Sequence, residues 1–486
     1  MNNRILTQNF FRRLQNALES SQFLAFCRFD GLAMLRPTLS TDLGFLPFAS
    51  ATTAKYFHPT PSDVYLLNDP YSGGSSLSDL TFLGCVAPGW FVVDRLPFLK
   101  AYRQGPTIDH EGLRIPPTPL VMDQKVNGDV LTSISGHPFC DSRFEAVVLQ
   151  FLEPFRKRMA DVAQNETVMA ELKEETHAND CIEFSTEIWR ERLRELAVGE
   201  SQDEVVLDDR TRLRIKSAVR NGQVHFDFSG SSASGSIALT ARATASVCAS
   251  TVLRLTGWTG PIHTGLMDCI QMQTPADTIV NAKFPAAVTA GLRDGATLLA
   301  TLAARSLHKI DPALPSTEIY PNSSTFHLAF DDAFVFSDSA SPGSPATAKG
   351  AGLVGFGNWN THLTPPSVEE LEEQYPILFR FIGGRHHSAG KGLHEGGAGV
   401  TKIVELLKPA QLIWNWLPYS AKSEGSEGGK AGAHPEILVQ KKNQKKPTVL
   451  THSGEMDLQA GDEVVVSSAG AGGYGEVTDN SSLPFA

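Results

Sequence analysis

The sequence has no apolar run long enough to cross a bilayer, and its first residues lack the basic-then-apolar form of a secretion signal. A soluble, cytoplasmic chain is therefore expected. It also lacks a basic stripe. Its 42 lysines and arginines face 53 aspartates and glutamates, and the net charge of −11 argues against a nucleic-acid partner. The one basic cluster, Lys441–Lys446, is short and reads as a solvated hairpin tip. Six cysteines (Cys27, Cys85, Cys140, Cys181, Cys248 and Cys269) are scattered without a C-x-x-C, the pattern of reduced thiols rather than a disulfide framework. Neither G-x-x-x-x-G-K-[ST] nor G-x-S-x-G occurs, so no nucleotide loop and no serine nucleophile elbow is present. There is no tandem repeat.

What remains is a chain of 486 residues, too long for one hydrophobic core. Three regions are expected: an α+β region over 1–144, helices plus a β-hairpin over 145–310, and a β- and glycine-rich region over 311–486. The fold class is α+β, with mixed or antiparallel sheets and a central helical region. Phe10 to Leu18 predicts a short helix. A helix from about Glu145 to Leu172 is expected to break at Pro154, and a second from Cys181 to Leu196 to be capped by Asn179 or Asp180. Asn221-Gly222 predicts a type I′ hairpin turn. Asp294 is the expected cap of a helix over Gly295 to Lys309.

The most informative stretch runs from Leu66 to Leu80. The apolar run Val64 to Leu67 stops at Asn68-Asp69-Pro70; Asn and Asp bond back to their own backbone, and Pro disfavours helix before it. Gly73-Gly74 permits angles or close approaches that a β-carbon forbids. A second apolar run, Leu80 to Val86, follows. This strand, loop, strand pattern is suited to holding Asp69 and Asp79 on one surface, although composition alone reads it as an ordinary loop.

The stretch resembles the Asn-Asp-Pro-Tyr-x-Gly-Gly-Thr-His-Leu-Pro-Asp segment of the hydantoinase B/oxoprolinase family. That family includes B subunits of ATP-dependent hydantoinases, the matching half of 5-oxoprolinase, and subunits of acetone and acetophenone carboxylases. Asn68, Asp69, Pro70, Tyr71, Gly73, Gly74, Leu77 and Asp79 match, whereas Ser76 stands where the family has histidine. Glu111-Gly112-Leu113-Arg114-Ile115-Pro116-Pro117 reproduces the family's Glu-Gly-Leu-Arg-Ile-Pro-Pro. Asp227-Phe228-Ser229-Gly230-Ser231 and the glycine runs near Ser388–Val400 and Ala469–Gly475 follow in the family's order. The resemblance extends from Leu24 to Glu476.

The resemblance implies that Asp69 and Asp79 are the catalytic carboxylates and that Asn68, Gly73, Gly74, Glu111, Gly112 and Arg114 bind substrate or structure the loops. It also implies a divalent metal held by aspartates and histidines. Of those ligands Asp79 persists, and Asp42 falls near a family histidine. Phe23 stands at an aspartate position, Pro97-Phe98 at a histidine pair that follows an arginine matched by Arg95, and Lys100 at another aspartate. The expectation is therefore that the metal is lost and that this chain holds no cofactor. ATP and Mg would belong to an A-type ATP-dependent hydantoinase/oxoprolinase subunit in a hetero-oligomer. The implied function is a B-type subunit that hydrolyses a cyclic amide (hydantoin, 5-oxoproline or lactam) activated by that partner. The alternatives are a non-catalytic paralogue that keeps the scaffold, and a carboxylase subunit of the acetone/acetophenone type. Two further clusters read as local structure: His386, His387, His394 and Glu395 as a wet glycine loop, and His137 with Cys140 as a turn.

Overall fold

Alternating side chains along short apolar strands build the sheet on which the site stands. The computed structural model describes residues 2–36, 40–97, 105–140, 143–235, 237–314, 324–331, 334–355, 367–416 and 423–476. The opening helix α1 (Asn2–Ser21) leads into strands β1 (Ala25–Arg28) and β2 (Ala33–Leu35), then helix α2 (Leu46–Phe57). Strands β3 (Val64–Leu67), β4 (Asp79–Ala87) and β5 (Trp90–Pro97) follow, then the short α3 (Ile108–Glu111), β6 (Thr118–Met122), β7 (Lys125–Val126) and α4 (Gly128–Ser135). Next come α5 (Phe144–Gln164), α6 (Glu166–Lys173), α7 (Glu175–Arg194), β8 (Gly199–Val206), β9 (Arg212–Arg220), β10 (Gln223–Asp227), α8 (Ala241–Leu255), β11 (Ile262–His263) and β12 (Ile270–Gln273). The main sheet is antiparallel and eight-stranded, ordered β11-β2-β1-β5-β4-β3-β6-β7; a second sheet is ordered β12-β10-β9-β8.

Because strand side chains alternate, each strand of the main sheet serves two faces. Leu80, Phe82 and Val92 join Phe144, Val148, Leu152, Phe155 and Met159 of α5 in one large core. Asp79 and Thr81 on β4 and Arg95 on β5 therefore face the other way. The register sets Thr81 directly opposite Arg95, and Asp79 opposite Pro97.

Chain contacts separate two compact units. The first comprises 1–204, 213–292 and 309–314; the second comprises 205–212, 293–308 and 315–486. The second unit contains most of helix α9 (Ala296–Ile310). It also contains β13 (Thr325–Asp331), β14 (Phe334–Ser339), α10 (Val368–Gln374), β15 (Ile377–Gly384), β16 (Val400–Leu406) and β17 (Ala410–Trp414). Its last strands are β18 (Glu436–Gln440), β19 (Thr448–Leu450), β20 (Gly454–Leu458) and β21 (Glu463–Ser467). Two antiparallel sheets, β14-β13-β17-β20 and β15-β16-β21-β18-β19, enclose its core. Its glycine segments pack backbone against backbone: Gly343 N–H donates to Ala469 O, Gly390 N–H to Ala471 O, and Ala346 N–H to Gly472 O. The architecture is α+β throughout, and among the described residues no helix is long and apolar enough to cross a membrane.

Several expected boundaries shift. Helix α1 runs well beyond Phe10–Leu18, because nothing in Asn2–Asn9 breaks a helix. Pro154 does not break α5: it lies on the exposed side, and the apolar stripe continues past it. The interruption falls at Asn165, whose side chain accepts from Val168 N–H and caps α6. Asn179 and Asp180 lie inside α7, which starts at Glu175 and buries Ala178 with Cys181. Asp294 is not a cap either, since it sits within a π turn, Gly291–Gly295, that leads into α9. Asn221-Gly222 does form the hairpin turn, both residues with positive φ. Lys441–Lys446 lies between paired strands β18 and β19, as a hairpin tip should.

Gly73 and Gly74 show why the loop before β4 needs glycine. Gly73 has φ +107°, and a β-carbon there would stand 2.5 Å from the Ala49 backbone. A β-carbon on Gly74 would overlap the Asn68 carbonyl. Gly74→Ala should therefore cost about 1–3 kcal/mol in urea unfolding, whereas Gly128→Ala, which meets nothing within 4 Å, should change little. Equal effects in the two variants would contradict this packing.

Candidate functional site

Asn68 follows β3 and is wholly buried. Its amide nitrogen donates to Leu77 O (3.0 Å) and Leu113 O (2.8 Å), and its Oδ1 accepts from Ile115 N–H (2.6 Å). One side chain thus joins the Asn-Asp-Pro loop to the Glu-Gly-Leu-Arg segment. Asp69, also buried, accepts from Tyr71 N–H, Ser72 Oγ–H and Arg114 Nη1. Both of its carboxylate oxygens are engaged in holding the turn. Arg114 in turn lies over the Phe284 ring at 4.6 Å.

Glu111 is 2% exposed and accepts from Val288 N–H (3.0 Å), Thr289 N–H (3.1 Å) and Thr289 Oγ–H (2.9 Å). Tyr71 Oη donates to Ala286 O nearby. Burial first, then the charges of Glu111 and Asp69, push the Tyr71 phenol up, so it stays a donor. Gly112 between these segments has extended backbone. The predicted residues Asn68, Asp69, Glu111 and Arg114 therefore converge on one junction, Asn68 and Glu111 tied in through backbone groups and Arg114 through the Asp69 carboxylate.

Asp79 does not share that junction. It faces Asp42, which lies in a single 3-10 turn (Ser40–Asp42), and Arg95. Arg95 Nη2 donates to Asp42 Oδ1 at 2.6 Å. Burial works against the Arg95 charge, but Asp42 and Asp79 more than offset it, and its pKa rises. Burial also lifts the Asp79 pKa, the largest influence on it; Arg95 opposes the rise and Asp42 adds to it. Thr81 Oγ1 and Arg95 Nε are buried beside this cluster with no hydrogen-bond partner among the described residues.

The metal implied by the resemblance does not fit the residues present. A divalent ion on loops needs several fixed nitrogen or oxygen donors. Here two carboxylates already face a guanidinium. Ser76 Oγ accepts from Ser78 N–H and closes a turn. Phe23 belongs to the other face of the sheet, edge-on to Phe155 and 5.0 Å from the Arg158 guanidinium, which pairs with Asp94 at 2.7 Å. Phe98 and Lys100 lie outside the described residues. Among the described residues no group of three or more His, Cys, Asp or Glu side chains is arranged to hold a metal.

The other clusters remain local. His386 and His387 line a cavity of about 490 Å³ with Arg385, Lys391 and Glu395, while His394 stacks on Tyr474. His137 Nδ1 accepts from Phe139 N–H within its turn. Sequence reasoning gave Arg95 no role. A charged residue in the apolar run of β5, placed by alternation on the Asp79 face, was the available signal.

Comparison with known proteins adds identity to this geometry. Residues 24–477 match the family described as Hydantoinase B/oxoprolinase. An uncharacterized protein of Methanocaldococcus jannaschii is 26% identical over 443 residues, 85% of this chain and 76% of that protein. 5-Oxoprolinase 1 of Arabidopsis thaliana is 25% identical over 283 residues, 56% of this chain but 21% of that much longer protein. The fold resembles an ATP-dependent caprolactamase from Pseudomonas jessenii, with a TM-score of 0.80 and 18% identity over 98% of this chain and 90% of that one. It also resembles a nucleotide-free acetone carboxylase, with a TM-score of 0.80 and 14% identity over 97% and 76% of the two chains.

A carboxyl whose folded pKa is raised contributes stability below the ordinary carboxylate range, and that contribution is lost as pH rises through the folded value. Asp79→Asn removes the loss. Its stability relative to the parent should therefore be greater at about pH 7 than at about pH 4 in urea unfolding. A relative stability that is constant or falls with pH would contradict the environment assigned to Asp79.

Proposed function

The chain belongs to the hydantoinase B/oxoprolinase family, and from that premise we propose that it is the B-type component of an ATP-dependent enzyme acting on a cyclic amide. An A-type partner would use ATP to activate the carbonyl of a hydantoin, 5-oxoproline or lactam, and this chain would support water attack on the activated species. The partner is invoked because the sequence has no nucleotide loop of its own. The observation that carries the chemical half of the reading is the placement of Asp79 beside the Arg95–Asp42 ion pair. A carboxyl whose proton affinity burial raises, beside a fixed cation, is suited to moving a proton during attack. Arg95, anchored by Asp42, supplies positive charge where an oxyanion would develop. Asp69, with both oxygens engaged, positions the loop rather than touching substrate. We further propose that the chain holds no divalent metal at the Asp42–Asp79–Arg95 cluster.

A scaffold without catalysis is favoured by one observation, the Arg95 guanidinium already committed to an ion pair with Asp42 beside Asp79 inside the protein. The fold of acetone carboxylase keeps a carboxylase-type B subunit as a further form of the same reading.

Purified alone, the chain should turn over no ATP with hydantoin, 5-oxoproline or caprolactam. With its A-type subunit it should support lactam-dependent ATP hydrolysis, and Asp79→Asn in that complex should slow lactam opening by about 10²-fold or more. Lactam-dependent ATP turnover by the isolated chain would overturn the partner. Unchanged lactam opening in the Asp79→Asn complex would overturn the catalytic role and leave the scaffold.

A further inference from the structure

The first unit carries a second cavity, about 730 Å³, bounded by α1, α7 and residues 257–261. That volume falls in the range of small-molecule sites, roughly 300–1,000 Å³. Its walls are apolar at Phe11, Phe184, Ile188 and Trp258. Ser185, buried on α7, belongs to the lining, and its hydroxyl meets His263.

His263 is wholly buried, stacks on Phe11 at 5.3 Å, and places Nε2 2.9 Å from Ser185 Oγ. Its Nδ1 has no hydrogen-bond partner among the described residues. Burial pushes the imidazole pKa down to about 3, so the ring is neutral and has one N–H to place. A buried unpaired N–H is costlier than an unpaired lone pair, which puts the proton on Nε2, donated to Ser185 Oγ. The serine's own proton is then left for whatever enters the cavity. The same arrangement argues against a nucleophile, because so weak a base does not take the serine proton at neutral pH.

Charge completes the site. Glu195 pairs with Arg192, and Glu191 pairs with Arg194. Arg12, on α1, has no carboxylate partner among the described residues and donates only to Asn9. Arg12, Arg192, Glu191 and Glu195 all line the cavity, and with both glutamates held by α7 arginines Arg12 is the lining cation without a carboxylate of its own, across from the buried Ser185 hydroxyl and an apolar wall.

We propose that this cavity binds a small organic acid, its carboxylate accepting from Ser185 and Arg12 and its apolar body resting on Phe184, Ile188 and Trp258. Its lining shares no residue with the Asp42–Asp79–Arg95 cluster, and the proposal does not depend on the function assigned there. Calorimetric titration of the full chain with 3-phenylpropionate, 3-phenylpropionamide and 3-phenylpropylamine tests it. The carboxylate should bind about tenfold tighter than the amide and the amine, and Arg12→Gln and Ser185→Ala should each weaken it by about five- to tenfold. Arg12→Gln should also erase the preference over the amide. Arg12 is exposed, so that variant keeps the test sound even if Ser185→Ala folds poorly. No binding of the carboxylate up to about 10 mM, equal binding of acid and amide, or wild-type affinity in Arg12→Gln would overturn the proposal.

Discussion

The site depends first on one buried amide. Asn68 satisfies two carbonyls and one N–H from segments up to 47 residues away in the chain. Each such bond is worth about 1 kcal/mol net, but any of the three backbone groups left unpaired in the interior would cost about 1–3 kcal/mol. That asymmetry explains why the two motif loops stay together: neither can relax without stranding the other's polar groups. Glu111 extends the same logic to Val288 and Thr289, and Asp69 to Arg114. The junction's side chains are thus committed to backbone groups and to one another.

Beside it lies a charge problem solved differently. Asp42 and Asp79 face a single guanidinium in the interior. Burying charges is costly, and removing one partner of such a cluster costs about 3–5 kcal/mol because the remainder is left uncompensated. Arg95 therefore serves as the resident cation, and Asp79 is the member that burial drives toward its neutral form. A divalent ion would add two positive charges to a cluster that already holds one, with only two carboxylates to meet them. The donor chemistry and the electrostatics point the same way.

Much of this was legible in the sequence where it rested on local rules. Asn-Asp-Pro, Gly-Gly and Asn-Gly announce turns through their own backbone chemistry, and the Glu-Gly-Leu-Arg segment is recognisable by its residues alone. What was not legible depended on pairing across the sheet. Counting along the chain brought Phe23 to the metal position, but only strand register shows that it belongs to the α5 face with Arg158 and Asp94. Arg95 gains its meaning from Thr81 opposite and Asp42 at a distance, neither of which is adjacent in sequence. Pro154 misled for a related reason: one missing helix bond is outweighed by an apolar stripe that continues on both sides.

The central proposal is that Arg95 is the cation of the Asp42–Asp79 cluster and that no metal ion binds there. Elemental analysis of the chain purified without chelator tests it most directly. The account predicts well under one equivalent of zinc, manganese or iron, unchanged by Asp79→Ala. One equivalent in the parent protein, lost in Asp79→Ala, would contradict it.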